Sequence, residues 1–170
     1  MGLEYRVLEL NINGSKVVSN KFDFGCCILA QDALEVSKTV EEKNKQGKFA
    51  FNLVMSILYR MLENKVVKFS DVESMSPETI IDLFNVFMNW FQEDLDYLNE
   101  AMSALDSGST GSADGDVLHR QLSYIGYTLF KNFHVQPKDY KAWDMRDVVD
   151  ILYCSGYDSA LAEVKDKNYI

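Results

Sequence analysis

Proline and cysteine are scarce in this chain, with 2 prolines and 3 cysteines among 170 residues. An odd number of cysteines, two of them adjacent as Cys26 and Cys27, does not suit a disulfide framework, so we expect free thiols in a reducing cytoplasm. No apolar run approaches the roughly 18 residues that a membrane span requires. Residues 1–20 alternate polar and apolar side chains and lack the apolar core of a signal peptide. We therefore expect a cytoplasmic protein with no membrane partner.

Clusters of basic residues are also absent. The chain has 17 Lys and Arg against 26 Asp and Glu, a formal net charge of −9. The densest basic stretch, at Lys43, Lys45 and Lys48, lies beside Glu41 and Glu42. Because binding to nucleic acid depends on clustered cations that neutralise phosphates, we expect no nucleic-acid partner.

Large side chains are missing from one segment, residues 106–116, whose sequence is DSGSTGSADGD. A segment of this composition buries too little apolar surface to offset the entropy lost on ordering, and it is typical of flexible linkers. We predict three regions: a β-hairpin with helices at 1–105, a flexible linker at 106–116 and a small helical module at 117–170. The first region is acidic, with 10 basic and 16 acidic residues, whereas the last has 7 of each.

The N-terminal region begins with a predicted β-hairpin. Leu8, Leu10 and Ile12 alternate with polar residues, which is typical of a half-buried strand, and Asn-Gly at 13–14 is a strong signal for a tight turn. We predict an antiparallel hairpin over residues 3–24. Because two strands alone are marginally stable, this hairpin must pack on helices or on strands of another subunit.

Helical periodicity accounts for most of the remaining sequence, so we predict an α+β fold that is mostly α. The clearest start is at Ser76, Pro77 and Glu78, which supply an N-cap, a first-turn proline and an acid at the positive end of the helix dipole. We predict helices at 25–46, 49–62, 77–105, 117–133 and 144–155, a short strand or extended link at 65–69, a short turn or single-turn helix at 137–143 and a last polar helix at 158–167.

No group of residues specifies a reaction, and we predict no enzyme activity, no catalytic residue, no metal site and no cofactor. His119 and His134 lie near opposite ends of one predicted helix, too far apart to share a metal within it. Cys26 and Cys27 have no basic neighbour in sequence that would stabilise a thiolate, so we interpret them as small core residues. Catalytic carboxylate pairs come from separate elements, so we interpret the acidic run at 93–96 as a solvated helix face.

Aromatic side chains make up 12% of the chain. Eight of them lie between residues 124 and 157 of the C-terminal module, more than so small a domain encloses alone. Because Tyr and Trp are favoured anchors of interfaces, some of these aromatics are predicted to form a partner surface. The alternative is that all of them pack on the N-terminal region. The candidate partner-binding residues are Phe84, Phe87, Trp90, Phe91, Leu95, Tyr124, Tyr127, Tyr140 and Trp143.

Two short motifs resemble a known family. Leu8-Glu-Leu-Asn-Ile-Asn-Gly14 and Lys21-Phe-Asp-Phe-Gly25, followed by helices to about residue 105, resemble the tail assembly chaperones of long-tailed phages and prophages of Gram-positive bacteria. That family begins with a strand of the L-x-I-N-G-K kind, enters its first helix through Phe-x-Phe-Gly and continues as an acidic helical body. In this group a second helical segment is often appended by translational frameshifting, and Gln121 to Ile170 resembles that segment.

The resemblance implies a non-enzymatic chaperone without invariant catalytic residues. Its first region would keep the tape measure protein, a long helical rod with apolar faces, soluble before assembly, and its second would recruit tail tube subunits. Such a protein acts in the host cytoplasm and is not expected in the mature virion, and a homo-oligomer is left open. The alternatives are a small acidic phage-encoded regulatory or inhibitory protein that binds a host factor, and an enzyme whose residues are scattered in sequence.

Overall fold

The computed structural model describes residues 6–12, 14–38, 43–62, 68–105 and 118–154. It confirms the predicted fold class, because a two-stranded antiparallel hairpin packs on a mostly helical body. The elements in chain order are β1 (Leu8–Ile12), β2 (Ser15–Ser19), α1 (Phe24–Lys38), α2 (Lys43–Met61), α3 (Phe69–Glu73), α4 (Pro77–Leu105), α5 (Leu118–Phe133), α6 (Pro137–Tyr140) and a last described helix, α7, at residues 145–154.

The hairpin pairs β1 with β2 in a register that runs from Leu8 opposite Ser19 to Ile12 opposite Ser15. Gly14, in the turn, has a φ of 78°, a left-handed conformation that glycine adopts without steric cost. Leu8 and Ile12 are buried, as the predicted half-buried strand requires. The hairpin is shorter than predicted, because each strand has only 5 residues.

The start of α4 is where the sequence places it. Pro77 is the first helical residue, and the Ser76 hydroxyl accepts a hydrogen bond from the Thr79 N–H at 3.2 Å. The Glu78 carboxylate accepts hydrogen bonds from its own backbone N–H and from the Ser76 hydroxyl, and these lower its pKa. Apolar residues recur along α4 at helical spacing, and Ile80, Phe87, Phe91 and Leu98 of this series are buried.

Two helix boundaries in the N-terminal region differ from the prediction. The predicted helix at 25–46 is divided, because α1 is described only to Lys38 and residues 43–46 belong to α2. Gly47, which we took to follow the end of a helix, lies inside α2 and is exposed. A glycine costs a helix about 1 kcal/mol, a penalty that burial of the apolar face of α2 exceeds.

The predicted strand or extended link at 65–69 is wrong at its last residue, because Phe69 begins the short helix α3. Residues 65–67 lie outside the described residues. Lys68 is still extended, and its N–H donates to the Asp71 carboxylate at 2.8 Å. That side-chain cap satisfies a free helix donor and makes a five-residue helix possible. The predicted linker at 106–116 and the predicted helix at 158–167 lie outside the described residues.

The N-terminal and C-terminal regions share one core, whereas we expected two modules that each engage a partner separately. The inner face of α5 is buried together with residues of α1 and α4. The first backbone N–H groups of α1 find their acceptors in the C-terminal region: Phe24 donates to the Trp143 carbonyl at 2.8 Å and Gly25 to the Lys141 carbonyl at 2.9 Å. Helix α1 packs against α2, α4 and α5, and therefore connects the two regions.

Substitution of Gly126 tests this packing. Gly126 of α5 lies against the buried Tyr140, and an added Cβ would meet the Tyr140 hydroxyl oxygen at 2.9 Å. We expect Gly126→Leu to lower the free energy of unfolding by about 1–3 kcal/mol through overpacking, as measured by urea denaturation. Gly47→Leu is the matched control, because nothing lies within 4 Å of its added Cβ. The control should be as stable as the parent or more so, and equal losses in the two variants would contradict the packing described here.

Candidate functional site

The candidate partner-binding residues on α4 are largely enclosed by the rest of the chain. Phe22, which follows β2, packs edge-on against Trp90 with ring centroids 5.4 Å apart and stacks on Phe87 at 6.3 Å. The first half of α4 therefore turns its aromatic side chains towards its own neighbours. Of the five candidates on this helix, those buried are Phe87 and Phe91, and those half-buried are Phe84, Trp90 and Leu95. Their role in partner binding stays a prediction.

The candidates in the C-terminal region differ in exposure, because some are buried and others are exposed to solvent. Tyr140 is buried, with its ring 6.2 Å from that of Phe24. Trp143 is half-buried, whereas Tyr127 is 55% exposed. The side chain of Tyr124 lies outside the described part of the structure. Packing on the N-terminal region, the alternative left open above, thus holds for Tyr140 and fails for Tyr127.

One face of α5 exposes three aromatic side chains, which we call the α5 aromatic face: Tyr127, Phe130 and Phe133, at 55%, 46% and 41% exposure. They are spaced three residues apart and are therefore neighbours on the helix surface. With about 200 Å² available on each aromatic side chain, they expose roughly 300 Å² together. A contiguous apolar patch of roughly 300–600 Å² is the largest that most monomers carry and is often functional.

Two members of this face were not among the candidates from the sequence. Phe133 follows Leu129 at the helical spacing of four residues, which predicts a buried side chain, but Leu122 and Leu129 are buried whereas Phe133 is exposed. Phe133 is the last residue of α5, and the chain turns away at His134, whose φ of 56° is left-handed. Exposure of Phe130 could have been predicted from its position three residues after Tyr127, on the side of α5 away from Leu122 and Leu129.

Arg60 joins three segments of the chain at the start of α1. Its guanidinium binds both oxygens of the Asp23 carboxylate, with 2.8 Å from Nη2 to Oδ2, and also donates to the Lys141 carbonyl. Burial disfavours the charged guanidinium and lowers the pKa of Arg60. The hydrogen bonds and the negative charge of Asp23 outweigh this effect, so the Arg60 pKa is raised. Asp23 also accepts the Cys26 N–H at 3.0 Å and so caps α1. Any Cβ at Gly25 would overlap the guanidinium, which explains the glycine that closes the Phe-x-Phe-Gly motif.

A second ionic cluster holds the start of the hairpin on α4. Arg6 Nη2 lies 2.8 Å from Asp94 Oδ1 and 3.0 Å from Glu93 Oε2, and the Cys27 thiol donates to Asp94 Oδ2 at 3.2 Å. Burial raises the pKa of Asp94, and the bonds and charge of Arg6 oppose that rise. Our interpretation of the acidic run as solvated holds for Glu93 and Asp96 and is wrong for Asp94. Only the fold brings the counter-charge of Arg6 to this carboxylate.

Both adjacent cysteines are buried core residues, as interpreted from the sequence. Burial raises the pKa of the Cys26 thiol, and the charge of Asp23 adds to the effect. Burial likewise raises the pKa of Cys27 well above its usual range, reinforced by Asp94. The charge of Arg60 lowers the pKa of Cys26 and the charge of Arg6 lowers the pKa of Cys27, but neither offsets the effect of burial. These thiols are therefore poor nucleophiles, because the thiolate is the reactive form.

A cleft of about 440 Å³ lies beside the Arg60 junction, between residues 20–23 and 138–144. Its carboxylates are those of Asp23 and Asp144, and the former is already bound to Arg60. Within the described ranges the cleft lining includes no Ser, Cys or His side chain that could act as a nucleophile or base.

Neither a metal-binding cluster nor a membrane-spanning helix is present in the described part of the chain. No group of three or more His, Cys, Asp and Glu in the described part of the chain is arranged to hold a metal ion. His134 is exposed, and the side chain of His119 lies outside the described part. Among the described helices, none combines the length and the apolar character needed to cross a bilayer.

Comparisons with protein-family models, with curated proteins and with solved structures found no match. Function is therefore inferred from the contacts and surfaces described above, together with the two motifs that resemble the tail assembly chaperones.

Loss of Arg60 should destabilise the whole fold. Arg60→Ala leaves the partly buried Asp23 without its counter-charge, and we expect a loss of about 2–4 kcal/mol in the free energy of unfolding. Arg60→Lys should recover little of this, because an ammonium cannot bind a carboxylate in the two-bond manner of a guanidinium. Lys48→Ala, an exposed change on the same helix, should stay within about 0.5 kcal/mol of the parent. A loss below about 1 kcal/mol for Arg60→Ala would show that the junction is dispensable.

The buried thiols predict a loss of stability in alkaline solution. In the unfolded chain they ionise near pH 8.5, whereas in the fold their raised pKa keeps them protonated. The folded state then binds more protons, so stability falls as pH rises, by up to about 1.4 kcal/mol per pH unit for each thiol. The free energy of unfolding, measured by urea between about pH 8 and pH 10, should fall less steeply in Cys26→Ala/Cys27→Ala than in the parent. The slope of Cys154→Ser, which changes an exposed thiol, should match the parent slope.

Proposed function

We propose that this chain is a non-enzymatic protein-binding chaperone that acts in phage tail assembly. The α5 aromatic face carries the proposal, because it is an exposed aromatic surface on a helix whose opposite side is held in the core. Aromatic side chains are enriched in protein interfaces and among the residues that contribute most to binding. The motifs at 8–14 and 21–25 support the assignment to tail assembly, since they resemble that chaperone family.

In this proposal the two regions have different partners. The C-terminal region recruits tail tube subunits through the α5 aromatic face. The N-terminal region holds the tape measure protein through the outer side of α4, where Ile81 is 56% exposed. The inner aromatics Phe87 and Phe91 support this surface from within the core. The excess of acidic residues keeps such a complex soluble before assembly.

The acidic stripe of α4 favours one further candidate function, inhibition of a basic host factor. Asp82, Glu93, Asp96 and Glu100 are exposed and spaced by 11, 3 and 4 residues, which places them on one side of the helix. A row of carboxylates can imitate the charge of nucleic acid. Binding through it would weaken as salt screens the charges, which distinguishes it from binding through aromatic side chains.

Co-expression tests the chaperone proposal. The full chain, carrying an affinity tag, is produced with each structural protein encoded by the adjacent genes, and complexes are isolated at low and high salt. We expect association with a tube-type partner that Tyr127→Ser/Phe130→Ser weakens at least about tenfold, since each change removes an interface anchor. Val18→Ser, an equally exposed apolar change on β2, is the control and should leave binding intact.

The same experiment can reject the proposal. If no structural protein co-purifies with the parent chain, the assignment to tail assembly fails. If a partner binds the double variant as tightly as the parent, the α5 aromatic face is not the binding surface. Association that high salt abolishes, and that Asp96→Lys/Glu100→Lys also abolishes, would favour the inhibitor instead.

A further inference from the structure

A groove of about 400 Å³ runs along β1, and we call it the β1 groove. Four consecutive residues of the strand line it, Glu9 to Ile12, and successive side chains of a strand point to opposite faces. A space that touches all four must therefore lie along an edge of the strand. Because β2 occupies the other edge, the groove follows the edge of β1 that pairs with no strand among the described residues.

The backbone of this edge has hydrogen-bonding groups to offer. Ile12 and Ser15 close the two-residue turn, and the residues at this position of a hairpin exchange backbone hydrogen bonds. Along the rest of the hairpin, hydrogen-bonded and non-hydrogen-bonded residue pairs alternate. The N–H and C=O groups of Glu9 and Asn11 therefore point away from β2 and into the groove. Outside the hairpin ladder, no backbone hydrogen bond among the described residues reaches either of them.

The opposite wall of the groove is formed by α3 and the start of α4. It contributes Asp71, Ser74, Met75 and Thr79, so polar side chains surround one half-buried methionine. Methionine adapts its shape to irregular apolar side chains. The wall leaves a space at the lower end of the range of about 300–1,000 Å³ that ligand sites occupy.

Charge indicates what kind of segment would fit. The groove is lined by two carboxylates, those of Glu9 and Asp71, and its described lining includes no Lys or Arg. Glu9 binds Lys16 at 2.7 Å, but both side chains are more than half exposed, so that ion pair contributes little and exchanges readily. A cationic side chain opposite Glu9 would form the favourable cross-strand pair of opposite charges.

We propose that the β1 groove binds an extended peptide segment of a partner protein, in which apolar and basic residues alternate. The segment adds to the hairpin as a third strand, paired through Glu9 and Asn11. Its basic side chains share the outer face with Glu9, and its apolar side chains share the inner face with Leu10 and Met75. Strand addition of this kind draws affinity from the main chain and specificity from alternate side chains. It also removes an open edge from a sheet of two strands, which is marginal by itself.

A second copy of this chain fits the groove less well. Pairing of two β1 edges would bring Glu9 and Asp71 of both copies together, and each copy carries a net charge of −9. The β1 groove is independent of the α5 aromatic face, so this inference and the chaperone proposal can fail separately.

The test uses a fluorescein-labelled peptide of alternating Lys and Val, seven residues long, and the full chain. Anisotropy gives the affinity, and backbone amide NMR shifts of the labelled chain locate the site. We expect the largest shifts at Glu9 and Asn11. A peptide with Glu in place of Lys, and a Lys peptide with a central proline, should bind at least about tenfold more weakly, since they lack the charge or the strand donors.

Variants of the chain separate edge pairing from general attraction between opposite charges. Asn11→Pro removes only an outward N–H and should weaken binding about tenfold. Val18→Pro makes the same change on the outer edge of β2 and should leave binding unchanged. Glu9→Lys should weaken binding about fivefold, whereas Glu100→Lys, which alters net charge equally on a distant helix, should have little effect. If Asn11→Pro does not fold, the Glu9→Lys and Glu100→Lys pair still decides the question.

Several outcomes would overturn the proposal. One is equal binding of the proline-containing peptide, and another is an equal loss of affinity in Glu9→Lys and Glu100→Lys. Self-association of the parent chain in sedimentation, lost in Asn11→Pro, would assign the groove to a second copy instead.

Discussion

The N-terminus of α1 is the point on which the rest of the structure depends. The first N–H groups of a helix have no partner within the helix, and a buried donor without a partner costs about 1–3 kcal/mol. Here Phe24 and Gly25 donate to carbonyls at Trp143 and Lys141, far along the chain. The C-terminal region is therefore part of the cap of the first long helix. One core results where the composition of residues 106–116 suggested two separate modules.

The partly buried ion pairs of this fold chiefly hold separate secondary-structure elements against each other. Arg60 binds Asp23 and the backbone of the C-terminal region, and Arg6 binds Asp94 of α4. In both places a guanidinium with several donors satisfies a carboxylate that burial would otherwise leave costly. The surfaces that we propose for partner binding are elsewhere: the aromatic face on α5, the acidic stripe on α4 and the β1 groove.

The candidate surface could be predicted only in part. The sequence indicated an excess of aromatic side chains but not which of them the core would use. Tyr140 enters the core because Gly126 leaves room for its ring. Tyr127 remains exposed, because the buried side of α5 is the one with Leu122 and Leu129. Exposure of an aromatic depends on which helix covers it, and that information is not local.

By itself, the sequence determined what depends on neighbouring residues. Alternation along β1, the Ser76 cap with Pro77 and the periodicity of α4 are short-range patterns, so β1 and α4 were predicted correctly. Tertiary structure alone decided what depends on distant groups. It placed Arg6 against Asp94 and brought the Trp143 carbonyl to α1. It also left one edge of β1 without a partner strand in the described part of the chain, because pairing energies arise only when segments remote in sequence come into contact.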